Sequence, residues 1–332
     1  MKLKGSRRLI IALTAVALVA AGCGGPEEAD DTADAEVTNT DDTTDTAGTD
    51  DTILLGLITK FPVDFFFIIE EAAQAWVDEQ EGVELVTGMG ESGSDDEGVI
   101  ALIESMVAQG VDGIAITPTG PGIQPALDAA VEAGVAIVLV DNDLPDWDGK
   151  SAVVATDNRA GGVLAGEWLA ENLEPGSTLG VLEGVAGVPA LEDRVEGMIE
   201  GLGDADIEVV QRTPTDCDQV MGVAAAEDLL TAHPDVDAIY GACGPPILGA
   251  LEAIENAGRS PDSIVVVGFD ASADEVAQIL QGNQDASVAQ FPPRMGELGI
   301  DTLYRVVQGE TVEANVDTGT AIVTADNAAE FD

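Results

Sequence analysis

The run Ile264–Asp270, IVVVGFD, constrains the fold more than any other stretch: four β-branched residues without a polar break, then Gly268, Phe269 and Asp270. A strand with no alternation is covered on both faces, the condition of a parallel sheet packed between helices. Ile137–Asp141, IVLVD, repeats the design. Ligands of open α/β sheets bind beyond the carboxyl ends of strands. Each run therefore delivers a carboxylate to a crevice, and Phe269 is expected beside Asp270 there.

The rest of the chain fits that frame. Strands read at 53–58, 83–86, 113–116, 136–140 and 151–154 alternate with helices near 65–80, 99–109 and 124–133. After the polar Thr156-Asp157-Asn158 the pattern restarts, with strands at 179–182, 207–210, 238–240, 264–267, 286–290 and 321–324 and helices near 160–172, 191–202, 220–232, 248–256 and 295–307. Repeated βα units with short connections predict parallel sheets. A length of 332 residues accommodates two of them. The expected fold class is α/β, two doubly wound parallel-sheet lobes with a cleft between them.

The N-terminus stands apart. Lys2, Lys4, Arg7 and Arg8 precede an apolar run from Leu9 to Ala20, then Ala21, Gly22 and Cys23. That is the layout of an export signal, residues 1–22, too short in its apolar part to span a bilayer comfortably. Cys23 after small residues resembles the lipobox of bacterial lipoproteins, which makes Cys23 the expected lipidation site. Residues 23–51 are mostly Asp, Glu, Thr, Ala and Gly, a composition too polar to offset its ordering entropy, so a disordered acidic tether is expected.

A formal net charge of −51 argues against nucleic acid as a partner, because phosphate repulsion would dominate. It reads either as a solvated acidic surface or as adaptation to a saline habitat, where screening is strong. The only histidine, His233, stands before Pro234 at a helix end, where it suits the dipole. No Ser-His-Asp set, no metal-ligand spacing and no phosphate-binding loop is legible, so neither a metal, a cofactor nor an enzymatic activity is expected. Asp141 and Asp270 would suit either hydroxyl recognition or acid/base cleavage of a sugar bond.

Several short motifs in order carry a resemblance: Phe65-Phe66, Ile116 to Thr119, Val140-Asp141, Ala155 to Asn158 with Gly161-Gly162, Gly184 to Gly197, Leu229 to Asp235, Val266 to Asp270, and Ala289-Gln290. From Ile53 to Thr324 the chain resembles the periplasmic-binding-protein type I family, the sugar-binding components of bacterial ABC importers, and most of all its ribose-binding members. The resemblance implies a first lobe of residues 52–156 plus 291–319 and a second of 157–290 plus 320–332, joined by crossings near Thr156, Gln290 and Gly319. It implies that Phe65 and Phe66 offer ring faces to a sugar, with core packing as the alternative. Asp141 and Asp270 would accept from its hydroxyls, or else cap turns. Arg194 would serve the ligand or Asp270, or else pair with Glu192 or Glu196 on the surface. Gln290 would be a cleft residue, or else part of the hinge only.

Departures from the ribose-binding members mark the specificity set. Asn142 replaces an arginine, and Cys217 and Cys243 replace an aromatic and an asparagine contact. Pro62-Val63-Asp64 displaces the asparagine before the phenylalanines. Cys217 and Cys243 both follow second-lobe strands in an oxidising compartment, so they form a disulfide or are small residues that reshape the pocket. The expectation is an extracytoplasmic, membrane-anchored, monomeric solute-binding lipoprotein that captures a monosaccharide or sugar-like polyol by hinge closure and delivers it to an ABC permease. The alternatives are an exported sugar sensor or a glycoside-processing enzyme; a regulator of the same fold would need a DNA-binding helix pair where the export signal stands.

Overall fold

The computed structural model describes residues 52–260 and 263–331. The export signal, Cys23 and the acidic tether lie outside the described residues. Among the described residues no helix is long and apolar enough to cross a membrane.

Two six-stranded sheets form the frame. The first is built from β1 (Ile53–Thr59), β2 (Val83–Met89), β3 (Gly113–Ile116), β4 (Ala136–Val140), β5 (Ala152–Ala155) and β11 (Asn315–Asp317), in the order β11-β5-β4-β3-β1-β2. Its strands are all parallel. The second comprises β6 (Ser177–Glu183), β7 (Ile207–Pro214), β8 (Ala238–Gly241), β9 (Val265–Asp270), β10 (Ala286–Ala289) and β12 (Ala321–Thr324), in the order β12-β10-β9-β8-β6-β7. Only β12 runs antiparallel, against β10. In both sheets the winding reverses beside the first strand, between β1 and β3 and between β6 and β8, and such switch points open a crevice at the strand ends.

Each sheet is covered on both faces, as the unbroken apolar runs require. In the first, Ile58, Ile114, Ile137 and Leu139 pack under α2 (Asp96–Gln109) and α3 (Gln124–Glu132). Leu55, Leu57, Val138 and Val140 face α1 (Asp64–Asp78) and α9 (Pro292–Val307). In the second, Val181, Tyr240, Val267 and Phe269 lie under α4 (Asn158–Asn172) and α5 (Pro189–Leu202). Leu182, Ile239 and Val266 lie under α6 (Gln219–Ala232) and α7 (Gly244–Asn256). The remaining helix, α8 (Ala273–Gln281), packs its Val276 and Ile279 with Val323 and Ala328.

Part of the acidity goes into helix starts. Asp95, Asp157 and Asp218 each accept a hydrogen bond from a first-turn amide, and Ser272 with Glu275 forms a complete capping box. Two helices begin earlier than the apolar periodicity indicates, α7 at Gly244 and α9 at Pro292, because Pro245-Pro246 and Pro292-Pro293 occupy first-turn positions whose N–H groups have no helical partner. The chain passes between the sheets three times, after β5, after β10 and between β11 and β12. Thr156 and Thr318, on two of these passages, are buried with hydroxyls 3.4 Å apart.

Helices α4 and α5 approach to backbone contact. A methyl group on Gly162 or Gly166 would collide with the α5 backbone, and one on Gly197 or Gly201 with the α4 backbone. Glycine is required at such an approach. It brings Arg194 of α5 alongside Asn158 at the start of α4.

Candidate functional site

The end of β9 is where the predicted residues converge. Asp270 leaves the strand with φ of 100° and Ala271 follows at 45°, a left-handed pair that L side chains adopt at a cost of ~1–3 kcal/mol each. The carboxylate repays the strain with three donors: Gln290 Nε2 at 2.7 Å and Arg194 Nη1 at 3.0 Å on one oxygen, and the Gly244 amide at 3.2 Å on the other. Its side chain keeps 26% exposure, so lone pairs remain for an incoming group.

Arg194 is held from every side. Its Nε donates to Asn158 Oδ1 at 2.8 Å, and Nη1 also donates to the Ala242 carbonyl at 2.9 Å. The guanidinium lies 3.9 Å from the centre of the Phe269 ring, a cation–π contact in a desolvated setting. Arg194 pairs with Asp270 rather than with Glu192 or Glu196. A buried cation with this many acceptors is a fixed part of the scaffold.

Asp141 is built differently. It too has positive φ, 68°, at the end of its strand. Its amide bonds the Val154 carbonyl, yet among the described residues its carboxylate receives no hydrogen bond. Desolvation raises its pKa; Lys60 and Arg194 oppose that rise, and Asp270 adds to it. The acid of the first lobe thus feels both charges of the second, which is the facing arrangement expected of the two strand ends. Burial in turn lowers the pKa of Lys60, with Asp141 opposing.

A cavity of about 760 Å³ lies between the lobes. Lys60, Asp141 and Asn142 line its first-lobe side, and Asn158, Pro189 and Asp193 its second-lobe side. Asn158 links the cavity to the Arg194–Asp270 cluster. Lys60 was missed in the sequence; its signal is a lone cation at the carboxyl end of β1, beside the switch point, in a chain with only 12 Lys and Arg.

Other expectations need correcting. Phe269 does not face the cleft: it is fully buried, because strand alternation turns it with Val267 into the layer under α4 and α5, where it supports Arg194. Phe66 is 4% exposed and belongs to the first-lobe core with Ile69, Ala73 and Val77, the inward stripe of α1. Its ring meets the edges of Phe61 and Phe65. Phe65 is half-buried and Phe67 is 47% exposed. Of the two expectations for Cys217 and Cys243, the disulfide is the one met, with Cα atoms 5.6 Å apart, so neither offers a thiol to a ligand. Cys243 instead caps α7, between the Ala242 carbonyl that Arg194 binds and the Gly244 amide that Asp270 binds.

No group of three or more metal-ligating side chains occurs among the described residues. The geometry offers an acidic cavity lined by Asp141, Lys60 and the asparagines Asn142 and Asn158, with the preset carboxylate of Asp270 joined to it through Arg194. That set suits multidentate recognition of hydroxyl groups.

Comparison with known proteins places these features in context. Residues 55–311 match the family described as "Periplasmic binding protein domain". The ribose import binding protein RbsB of Escherichia coli (strain K12) is 31% identical over 265 residues, covering 80% of this chain and 87% of the relative. The protein of the same name from Bacillus subtilis (strain 168) is 34% identical over 216 residues, covering 64% and 69%. A crystal structure titled as a periplasmic ribose ABC transporter from Conexibacter woesei superposes with a TM-score of 0.79 at 25% identity, over 84% of this chain and 94% of that one.

Proposed function

Since the chain belongs to the periplasmic binding protein domain family, we propose that it is an extracytoplasmic solute-binding protein that captures a monosaccharide or sugar-like polyol and delivers it to an ABC importer. The observation that carries this reading is the pair of strand-end acids: Asp141 in the cavity wall, with no donor to its carboxylate among the described residues, and Asp270, preset by Arg194, Gln290 and Gly244 and joined to that wall through Arg194 and Asn158. A ligand with several hydroxyls would supply donors to Asp141 and Asp270 together, and only a closed form lets both lobes reach it. Closure is then favoured by the differential contacts that the ligand makes with that form. Binding suffices; no bond of the ligand needs to break.

Ligand contacts are assigned to Asp141, Asp270, Gln290, Asn142, Lys60 and Phe65, with Arg194 positioning Asp270. The relatives' names support a sugar, while Asn142 and the disulfide at Cys217 and Cys243 set this pocket apart from the ribose-binding pattern. The chain is further proposed to be anchored through a lipid on Cys23. Palmitate-analogue labelling of the wild type, absent in Cys23→Ala, tests that assignment.

The direct test is a thermal-shift screen against pentoses, hexoses, deoxysugars and cyclitols. A ligand present at a hundredfold excess over its Kd stabilises the folded state by about 2.7 kcal/mol. A stoichiometric shift with one class supports the reading. No shift with any class, or turnover of an added oligosaccharide, would sink it.

A further inference from the structure

A second carboxylate adjoins Asp270 with no solvent exposure at all: Glu275, in the first turn of α8. Four donors surround it. Gln284 Nε2 at 3.0 Å and Ser287 Oγ at 2.9 Å reach Oε1; the amide and hydroxyl of Ser272, at 3.2 and 3.3 Å, reach Oε2. Space for the group exists because Gly244 and Gly268 carry no side chain; a methyl on either would collide with its oxygens.

The network leads back to the site. Ser287 Oγ, while donating to Glu275, accepts the Ala271 amide at 3.0 Å. Ala271 is the second residue of the left-handed pair that aims Asp270. Every neighbour of Glu275 presents a proton to it. Gln284 cannot turn its amide round to offer an oxygen, since the same nitrogen also donates to the Ala286 carbonyl at 3.0 Å. A proton on Glu275 would find an acceptor only in the hydroxyl of Ser272 or Ser287, and taking it would break the bond that this hydroxyl now donates.

We propose that Glu275 is a positioning residue for Asp270: as an ionised carboxylate it holds Ser287, and through Ser287 the Ala271 turn, and on gaining a proton it releases that turn. The proposal deepens the binding reading above and rests on it for its consequence, an affinity that weakens as Glu275 protonates. Burial, with repulsion from Asp270 adding to it, pushes the Glu275 carboxyl up to about 7, against the pull of the bonds from Gln284, Ser287 and Ser272. The charged group that bears on it is Asp270 of β9. Around it, β10 carries no charge, and Asp274 of α8, Asp285, Glu252 and Glu255 of α7, and Glu330 are all exposed.

The test needs no ligand. In the wild-type protein, the Ala271 amide and the Asp270 carboxyl, followed by NMR, should shift together with a midpoint between pH 6 and 8. That inflection should vanish in Glu275→Gln and persist in Asp274→Asn. In Ser287→Ala the Glu275 carboxyl should still titrate while the Ala271 amide no longer follows, which keeps the test decisive if Glu275→Gln does not fold. A flat wild-type titration, or an inflection that survives Glu275→Gln, overturns the proposal and leaves any sugar ligand standing. Failure of the ligand screen overturns the binding reading and leaves this titration standing.

Discussion

Asp141 and Asp270 occupy corresponding strand ends in the two lobes, Asp141 just beyond β4 and Asp270 the last residue of β9, each with positive φ, yet they are prepared in opposite ways. Asp270 has an arginine, a glutamine and a backbone amide on its carboxylate. Asp141 has a strand-end backbone bond and, on its carboxylate, only the longer-range fields of Lys60, Arg194 and Asp270. The second lobe therefore offers a finished half-site, oriented before the ligand arrives. The first offers an acid whose charge becomes favourable only when hydroxyls reach it. On the proposed function, a clamp built this way would bind on one side and sense on the other.

Removing the guanidinium should break the comparison most completely. Arg194→Ala leaves Asp270 uncompensated and the Ala242 carbonyl bare, and should cost about 3–5 kcal/mol of unfolding free energy in denaturant titrations. Asp270→Ala should weaken ligand affinity by about 2–4 kcal/mol in calorimetry, and an unchanged Kd would remove Asp270 from the site. Asp141→Ala should weaken affinity by roughly 1.5–3 kcal/mol with little loss of fold stability; a large stability loss would mean that Asp141 is structural like its counterpart.

The smallest effect is a pH dependence. Burial raises the Asp141 carboxyl above its ordinary 3.8, so the folded state favours the protonated form. The associated stability is fully present below the unfolded value and is lost as pH rises through the raised folded one. Asp141→Asn cannot ionise. Its stability relative to the wild type should accordingly increase from acid to neutral pH, as read from thermal melts across that range.

Much of this architecture was legible because its signals are repetitive. Unbroken runs such as Ile264–Val267 and Ile137–Val140 announce strands covered on both faces, and the acids that end them announce the crevice. The shorter elements were not. Helix α8 was not read, although Ser272 followed by Glu275 is a capping box that could have revealed it. Strand β11 has three residues and no apolar run. At the site, Arg194's pairing with Asp270 was foreseeable from a rare cation near the start of a helix that follows a strand and a glycine-rich loop. Phe269 was misplaced because the alternation that buries Val267 still governs it, while Asp270, the last residue of the strand, points the other way. Phe66 shows the same thing in a helix: three consecutive phenylalanines point in three directions, and the inward stripe Phe66, Ile69, Ala73, Val77 claims the middle one.

The three passages between the sheets have a consequence for how the molecule comes together. The first sheet takes α9 and β11 from residues 292–317, and the second takes β12 from residues 321–324, so neither lobe is a continuous piece of chain. Until that segment is available, β5 and β10 each lack a neighbour and remain open to pairing with other chains. Neither lobe can be completed from the chain before residue 292; both are finished by the same thirty or so residues.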